Sequence, residues 1–110
     1  MTPRNITLLG ATGTIGVNTL DVIARHPEQF RVLALTGQNQ IDKLAAQCRQ
    51  FQPRYAVVLD ADKAKALQGL LVGSPTEVLY GMDALEFVSA LPEVDSVMAA
   101  IVGAAGLRPA

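Results

Sequence analysis

The sequence contains little cysteine, few aromatic residues and no excess of charge of either sign. A single cysteine cannot form an internal disulfide, which agrees with a reducing cytoplasm. Nine Lys and Arg residues balance ten Asp and Glu residues, so nothing indicates a surface for nucleic acid or anionic membranes. No apolar run approaches the roughly 18 residues that a membrane span requires, and the polar opening "MTPRNIT" does not have the pattern of a signal peptide. We expect a cytoplasmic protein without a nucleic-acid or membrane partner.

Small and branched aliphatic side chains make up most of the apolar content of the sequence. Half of the 110 residues are apolar but only 5% are aromatic, so Ala, Val, Leu and Ile supply most of the apolar content. Continuous runs of such residues are typical of parallel strands that helices cover on both faces. A chain of this length fits one domain.

Strand and helix patterns alternate along the whole chain. The apolar runs predict strands at 6–10, 30–36, 55–60, 76–81 and 96–102, and the helical periodicity predicts helices at 14–26, 41–51, 61–71 and 82–91. Alternating βα units imply a Rossmann-like, doubly wound parallel sheet with right-handed crossovers. We expect the spatial order fourth, third, second, first and fifth strand. Such a sheet normally continues further, so we expect residues 1–110 to be the N-terminal domain of a longer, here truncated, chain.

The helical patterns also predict which residues are buried and which cap the helices. The expected buried stripe of the first helix is Ile15, Thr19, Val22, Ile23 and His26, and that of the second is Ile41, Leu44, Ala45, Cys48 and Phe51. We expect Thr12 or Thr14 to cap the first helix and Asp60 to cap the third. His26 has a helix-end role in this interpretation, and Cys48 is a core residue.

Three glycines spaced three apart, in "LLGATGTIGVNTL", separate the first strand from the first helix. In a turn of this kind Gly10 allows a tight bend, Gly13 lets a pyrophosphate approach the backbone, and Gly16 lets the helix pack closely against the strands. The start of the helix favours an anion, and the hydroxyls of Thr12 and Thr14 can cap the helix or bind phosphate oxygens. The position after a strand and inside a βαβ unit of roughly 30 residues indicates a dinucleotide site rather than a Gly-rich turn without a ligand.

The segment "LALTGQNQ" at 33–40 bears on which dinucleotide is bound. NAD-dependent enzymes usually hold the adenosine ribose at the end of the second strand with an Asp or Glu. Here no carboxylate occurs before Asp42, which favours NADPH over NADH. Gly37 would allow close approach, and Gln38 and Asn39 could donate hydrogen bonds, although an ordinary strand-to-helix loop is the alternative.

The stretch "AAIVGAAGL" at 99–107 is a second crowding of small residues at the end of a strand. Ala100, Ile101 and Val102 are candidates to line the ribose and nicotinamide half of the cofactor. Close helix packing would explain the same small side chains equally well. No cluster of His, Cys or carboxylate residues has metal-ligand spacing, so the sequence predicts a cofactor site without catalytic residues.

The segments "LLGATGTIGVNTLDVIARHPEQFRVLALTGQN", "QCRQFQPRYAVV" and "VDSVMAAIVGAAGLRP" together resemble the N-terminal part of the 1-deoxy-D-xylulose 5-phosphate reductoisomerase family. The resemblance implies a homodimeric enzyme of isoprenoid synthesis that converts this sugar phosphate to 2-C-methyl-D-erythritol 4-phosphate with NADPH and Mg²⁺ or Mn²⁺. It also implies cofactor contacts from the glycine loop, the second loop and the fifth strand: Gly10, Thr12, Gly13, Thr14, Ile15, Gly37, Gln38, Asn39, Ala100 and Ile101. The metal ligands and substrate residues would lie beyond Ala110, so the 110 residues alone are expected to be inactive.

Departures from the family pattern and two alternatives accompany this resemblance. Ala11 replaces a frequent serine of the family, and Gln38 stands where some members carry a basic residue, which bears on 2′-phosphate recognition. An extended short-chain dehydrogenase or epimerase also opens with "GATGTIG", but such enzymes use a Tyr-x-x-x-Lys pair. Tyr55 and Tyr80 have no Lys four residues later. The other alternative is a non-catalytic regulator that senses NADP.

Overall fold

Five strands and four helices alternate in the structure, a computed structural model that describes residues 3–37 and 40–99. The strands are β1 (Arg4–Leu9), β2 (Phe30–Thr36), β3 (Tyr55–Val58), β4 (Glu77–Tyr80) and β5 (Ser96–Ala99). The helices are α1 (Thr14–Arg25), α2 (Ile41–Phe51), α3 (Ala61–Leu70) and α4 (Met82–Ser89). Every predicted element is present, and the part of the expected fifth strand after Ala99 lies outside the described residues.

The five strands form one parallel sheet in the order β4-β3-β2-β1-β5, which confirms the predicted order and the Rossmann-like fold class. One row of paired residues crosses the whole sheet: Val78, Ala56, Leu35, Leu8 and Met98. Because the strands are parallel, their carboxyl ends lie along the same edge of the sheet. The loops that follow β1 and β2 therefore lie side by side at that edge.

Helices cover both faces of the sheet, as a doubly wound fold requires. Ile6 and Leu8 of β1 belong to the larger apolar core, which α1, α2 and α3 cover. Thr7, between them, points to the other face, where its hydroxyl donates to the Val88 carbonyl of α4 at 2.8 Å. Val88 packs there with Ala34, Tyr55 and Val57 in a second apolar cluster. In the part of the chain that the structure describes, no helix is long and apolar enough to cross a bilayer.

The buried face predicted for α1 is wrong by about one residue. Its buried residues are Gly16, Leu20 and Ile23, whereas Ile15 is 46% exposed and Val22 is 51% exposed. Thr19 is half-buried and His26 is exposed, so of the predicted stripe only Ile23 is buried. The reason is a close backbone contact at Gly16, described below, which fixes the rotation of the helix about its axis.

The stripe predicted for α2 is confirmed. Leu44, Ala45 and Cys48 are buried, and Ile41 and Phe51 pack against the same core. Gln47 is also buried on this helix, which the apolar pattern did not predict. Since Leu44 and Gln47 are three residues apart, they lie on neighbouring positions of the same helix face.

The two predictions about helix caps have different outcomes. Asp60 caps α3, because its Oδ1 accepts a hydrogen bond from the Lys63 amide at 3.0 Å. β3 ends at Val58, two residues before the predicted end. Gly13, and neither Thr12 nor Thr14, is the N-cap residue of α1, and no side chain caps that helix. His26 is the C-cap residue of α1, which confirms its helix-end role.

Candidate functional site

The glycine-rich turn begins where β1 ends. Gly10 has a φ of +78°, in the left-handed region that side chains disfavour, and the chain reverses there. The Gly13 amide donates back to the Gly10 carbonyl at 3.3 Å and closes the turn. This conformation confirms the role predicted for Gly10.

Gly16 brings the first turn of α1 into contact with this loop. A Cβ atom at Gly16 would lie 2.3 Å from the Gly10 carbonyl oxygen and 2.7 Å from the Ala11 backbone. Neither neighbour is a flexible side chain, so only glycine fits. The close packing predicted for the third glycine is confirmed, but its partner is the loop after β1 and not, as predicted, the strands.

The start of α1 leaves backbone donors without partners. No side chain caps the helix, and no acidic residue lies in its first turn. Among the residues in the described ranges, nothing accepts a hydrogen bond from the amides of Thr14, Ile15 or Gly16. Unpaired amides at the positive end of the helix dipole form a site that favours an anion. Thr14 and Ile15 are exposed, so a ligand can reach this end of the helix.

Residues of β2 and α2 hold the glycine loop in place. The Thr36 hydroxyl accepts a hydrogen bond from the Gly10 amide at 2.9 Å, and the Thr36 carbonyl accepts one from the Ala11 amide at 2.8 Å. On the other side, Gln47 Nε2 donates to the Ala11 carbonyl at 2.8 Å. Gln40 Nε2 lies 3.5 Å from the Thr12 carbonyl.

Neither Thr36 nor Gln47 was predicted as part of the site. The only signals in the sequence were a polar residue at the end of an apolar strand and a glutamine three residues after Leu44 on a helix with an apolar stripe. Both are common on surfaces, and their buried contacts depend on how β2 and α2 pack around the loop.

Gly37 brings the second predicted loop into contact with the first. A Cβ atom at Gly37 would lie 3.3 Å from Thr12 Cγ2 and 3.2 Å from Leu44 Cδ2. The Gly37 amide donates to the Val57 carbonyl at 3.0 Å. The structure thus brings Gly10, Thr12, Gly13, Thr14, Ile15 and Gly37 together at one edge of the sheet. The other four predicted residues, Gln38, Asn39, Ala100 and Ile101, lie outside the described residues.

The chemistry of the described side chains is that of binding. Burial raises the pKa of the Cys48 thiol to about 12, so this cysteine is protonated and unreactive at neutral pH. Across residues 3–37 and 40–99, no three His, Cys, Asp or Glu side chains are grouped where they could hold a metal ion. The donors at the start of α1 suit a phosphate group, and the exposed Thr14 and Ile15 leave this end of the helix accessible to it.

The sheet order and the strand-turn-helix formed by β1, the glycine turn and α1 define a Rossmann-like α/β domain. The chain belongs to the 1-deoxy-D-xylulose 5-phosphate reductoisomerase family, because the model of that family matches residues 6–110. This match confirms the resemblance found in the sequence.

Individual relatives agree with the family assignment. The 1-deoxy-D-xylulose 5-phosphate reductoisomerase of Nitrosospira multiformis is 59% identical over 108 residues, which cover 96% of this chain and 27% of the relative. A reductoisomerase crystal structure in complex with NADPH, fosmidomycin and magnesium matches 94% of this chain and 26% of its own, at 40% identity and a TM-score of 0.86. The Zymomonas mobilis enzyme in complex with NADPH matches 90% of this chain and 26% of its own, at 38% identity and a TM-score of 0.84. The chain thus spans about a quarter of the length of these relatives.

Proposed function

We propose that residues 1–110 form the N-terminal NADPH-binding domain of a 1-deoxy-D-xylulose 5-phosphate reductoisomerase. The observation that carries this proposal is the uncapped start of α1, packed through Gly16 against the glycine turn. The family match favours the reductoisomerase over the short-chain dehydrogenase that shares the opening motif. Two solved relatives that contain NADPH have the same fold at 38% and 40% identity, which supports the choice of cofactor.

In this proposal the pyrophosphate of NADPH lies at the start of α1. The amides of Thr14, Ile15 and Gly16 donate to its oxygens in place of a capping side chain. The hydroxyls of Thr12 and Thr14 supply further donors. Gly13 leaves the space next to the phosphate free of a side chain.

The two ends of the cofactor extend along the neighbouring loops. Gly37, Gln38 and Asn39 hold the adenosine ribose and its 2′-phosphate, and the missing carboxylate before Asp42 favours NADPH over NADH. Ala100 and Ile101, after β5, contact the nicotinamide half. The close approach of Gly37 to Thr12 supports this arrangement. It places the residue assigned to the 2′-phosphate beside the glycine loop, which is assigned to the pyrophosphate.

When bound, NADPH supplies the hydride that reduces the aldehyde formed by rearrangement of the sugar phosphate. The role of residues 1–110 is to bind and orient the nicotinamide for that transfer. The substrate residues and the ligands of Mg²⁺ or Mn²⁺ would belong to the longer chain, which would be a homodimer in the cytoplasm. Residues 1–110 alone would bind NADPH without turning over the substrate.

A binding titration on the complete protein that contains residues 1–110 tests the proposal. NADPH fluorescence should saturate, and NADH should bind about tenfold more weakly because it lacks the 2′-phosphate. Equal affinity for the two cofactors would contradict the assigned preference, and the absence of saturable NADPH binding would contradict the function.

Gly13→Ala tests where the pyrophosphate lies. Gly13 has φ −76° and ψ 173°, an extended conformation that alanine adopts without strain, so the fold should be retained. The added methyl group would occupy the space of the phosphate and should weaken NADPH binding about tenfold or more. Gly69→Ala is the matched control, because a Cβ atom at Gly69 has nothing within 4 Å.

A further inference from the structure

Gln47 is a buried polar residue on the face of α2 that packs on the core. Its side chain and backbone together are only 9% exposed, and the neighbouring Leu44 and Cys48 are fully buried. Gln47 Nε2 donates a buried hydrogen bond of 2.8 Å to the Ala11 carbonyl, 36 residues away along the chain. Gln47 Oε1 is buried as well, and within the described part of the chain nothing donates to it.

Core packing alone does not account for a glutamine at this position. A buried acceptor without a donor raises the free energy of the folded state. A methionine has similar length and volume, and it would fill the same space without an unpaired oxygen. What glutamine adds over methionine at this position is therefore the Nε2 donor, which forms a hydrogen bond with the glycine loop.

The hydrogen bond to Ala11 also fixes the direction of the next amide. The Ala11 carbonyl and the Thr12 N–H belong to one planar trans peptide, so they point in opposite directions. With the carbonyl held toward α2, the Thr12 N–H is directed away from α2. No atom in the described ranges accepts a hydrogen bond from this amide.

The peptides before this one are already fixed by Thr36, which accepts hydrogen bonds from the amides of Gly10 and Ala11. Thr36 thus holds the amide of Ala11, and Gln47 holds its carbonyl. α2 begins at Ile41, so the helix that holds the glycine loop also follows, along the chain, the residues assigned to the adenosine ribose.

We propose that Gln47 is a positioning residue for the cofactor: it holds the Ala11–Thr12 peptide so that the Thr12 N–H is presented to the pyrophosphate of NADPH. This inference rests on the proposed function. Without the Nε2 donor the peptide can rotate, and binding has to order it again, which lowers cofactor affinity. Gln47 does not touch the reacting atoms, so the rate of hydride transfer in the loaded enzyme does not depend on it.

Gln47→Met in the complete enzyme tests this role, with Gln50→Met on the exposed side of the same helix as the matched control. The dissociation constant for NADPH, measured by fluorescence without substrate, should rise about five- to tenfold in Gln47→Met and stay unchanged in Gln50→Met. The KM for NADPH should rise in parallel, while kcat and the KM for 1-deoxy-D-xylulose 5-phosphate stay at the wild-type values.

Gln47→Asn is the second variant, because it keeps the amide, adds no volume and is one methylene too short to reach Ala11. It should weaken NADPH binding as Gln47→Met does, so the test remains decisive if the methionine variant does not fold. Wild-type affinity in either folded variant would show that Gln47 has only a structural role and would overturn the inference. A wild-type enzyme that does not bind NADPH would instead contradict the proposed function.

Discussion

The carbonyl oxygen of Gly10 lies 2.3 Å from the position that a Cβ atom of Gly16 would occupy. This contact joins the glycine turn to the first turn of α1 and sets which face of the helix packs on the sheet. Gly16→Ala forces two backbone segments apart, so we expect the free energy of unfolding to fall by about 3 kcal/mol. Urea unfolding of the chain, followed by circular dichroism, measures the change.

The control for this prediction is Gly69→Ala on α3. A Cβ atom there meets open space, and alanine favours helix over glycine, so the free energy of unfolding should rise by about 0.5–1 kcal/mol. A Gly16→Ala variant as stable as the wild type would mean that the helix moves away from the loop at little cost, contrary to the close contact described here.

Thr36 supports the glycine loop through its hydroxyl, which accepts a hydrogen bond from the Gly10 amide at 2.9 Å. Thr36→Val keeps the shape of this buried side chain but leaves the Gly10 amide without its acceptor. The free energy of unfolding should fall by about 1–3 kcal/mol, and NADPH affinity should fall with it. Thr36→Ser retains the hydroxyl and should bind NADPH as the wild type does; weak binding by the serine variant would show that the methyl group matters instead.

Cys48 is fully buried, and burial raises the pKa of its thiol to about 12. The thiol is inaccessible to reagents and is protonated at neutral pH. Cys48 should therefore react with a disulfide reagent only when the core opens. We expect the labelling rate in native buffer to be several orders of magnitude lower than in concentrated urea. The factor between the two rates should be about the ratio of folded to unfolded protein in native buffer. Labelling of the native protein at the rate of a free thiol would contradict its place in the core.

Asp60 makes the stability of α3 depend on pH. The hydrogen bond from the Lys63 amide is the main cause that lowers the pKa of its carboxyl below the ordinary value of 3.8, with the Lys63 side chain adding to it. Because the pKa is lower in the folded state, the stabilisation is complete well above pH 3.8 and is lost as the pH falls through the folded-state pKa.

Asp60→Asn isolates this effect, since asparagine caps a helix equally well and does not titrate in this range. The wild type should be more stable than the variant at about pH 7, and the difference should shrink at about pH 2.5. Urea unfolding of both proteins at the two pH values measures it. A difference that is independent of pH would show that the charge of Asp60 contributes nothing to the cap.

Local patterns in the sequence determined the elements of this fold and their order in the sheet. Alternating apolar runs and helical periods, with a glycine turn after the first strand, were enough to predict the order β4-β3-β2-β1-β5, since parallel βα units join by short, right-handed connections. The buried stripe of α2 and the cap at Asp60 were also predictable, because both depend on residues within one or two turns of each other.

Tertiary structure alone decided how the glycine loop is held. The rotation of α1 depends on the contact between Gly16 and the Gly10 carbonyl, and this contact overrode the apolar pattern that favoured Ile15 and Val22. The roles of Thr36 and Gln47 depend on hydrogen bonds that span 26 and 36 residues. Such bonds form only where packed elements bring a donor and an acceptor within 3 Å in the correct direction, and no periodicity in the sequence encodes that distance.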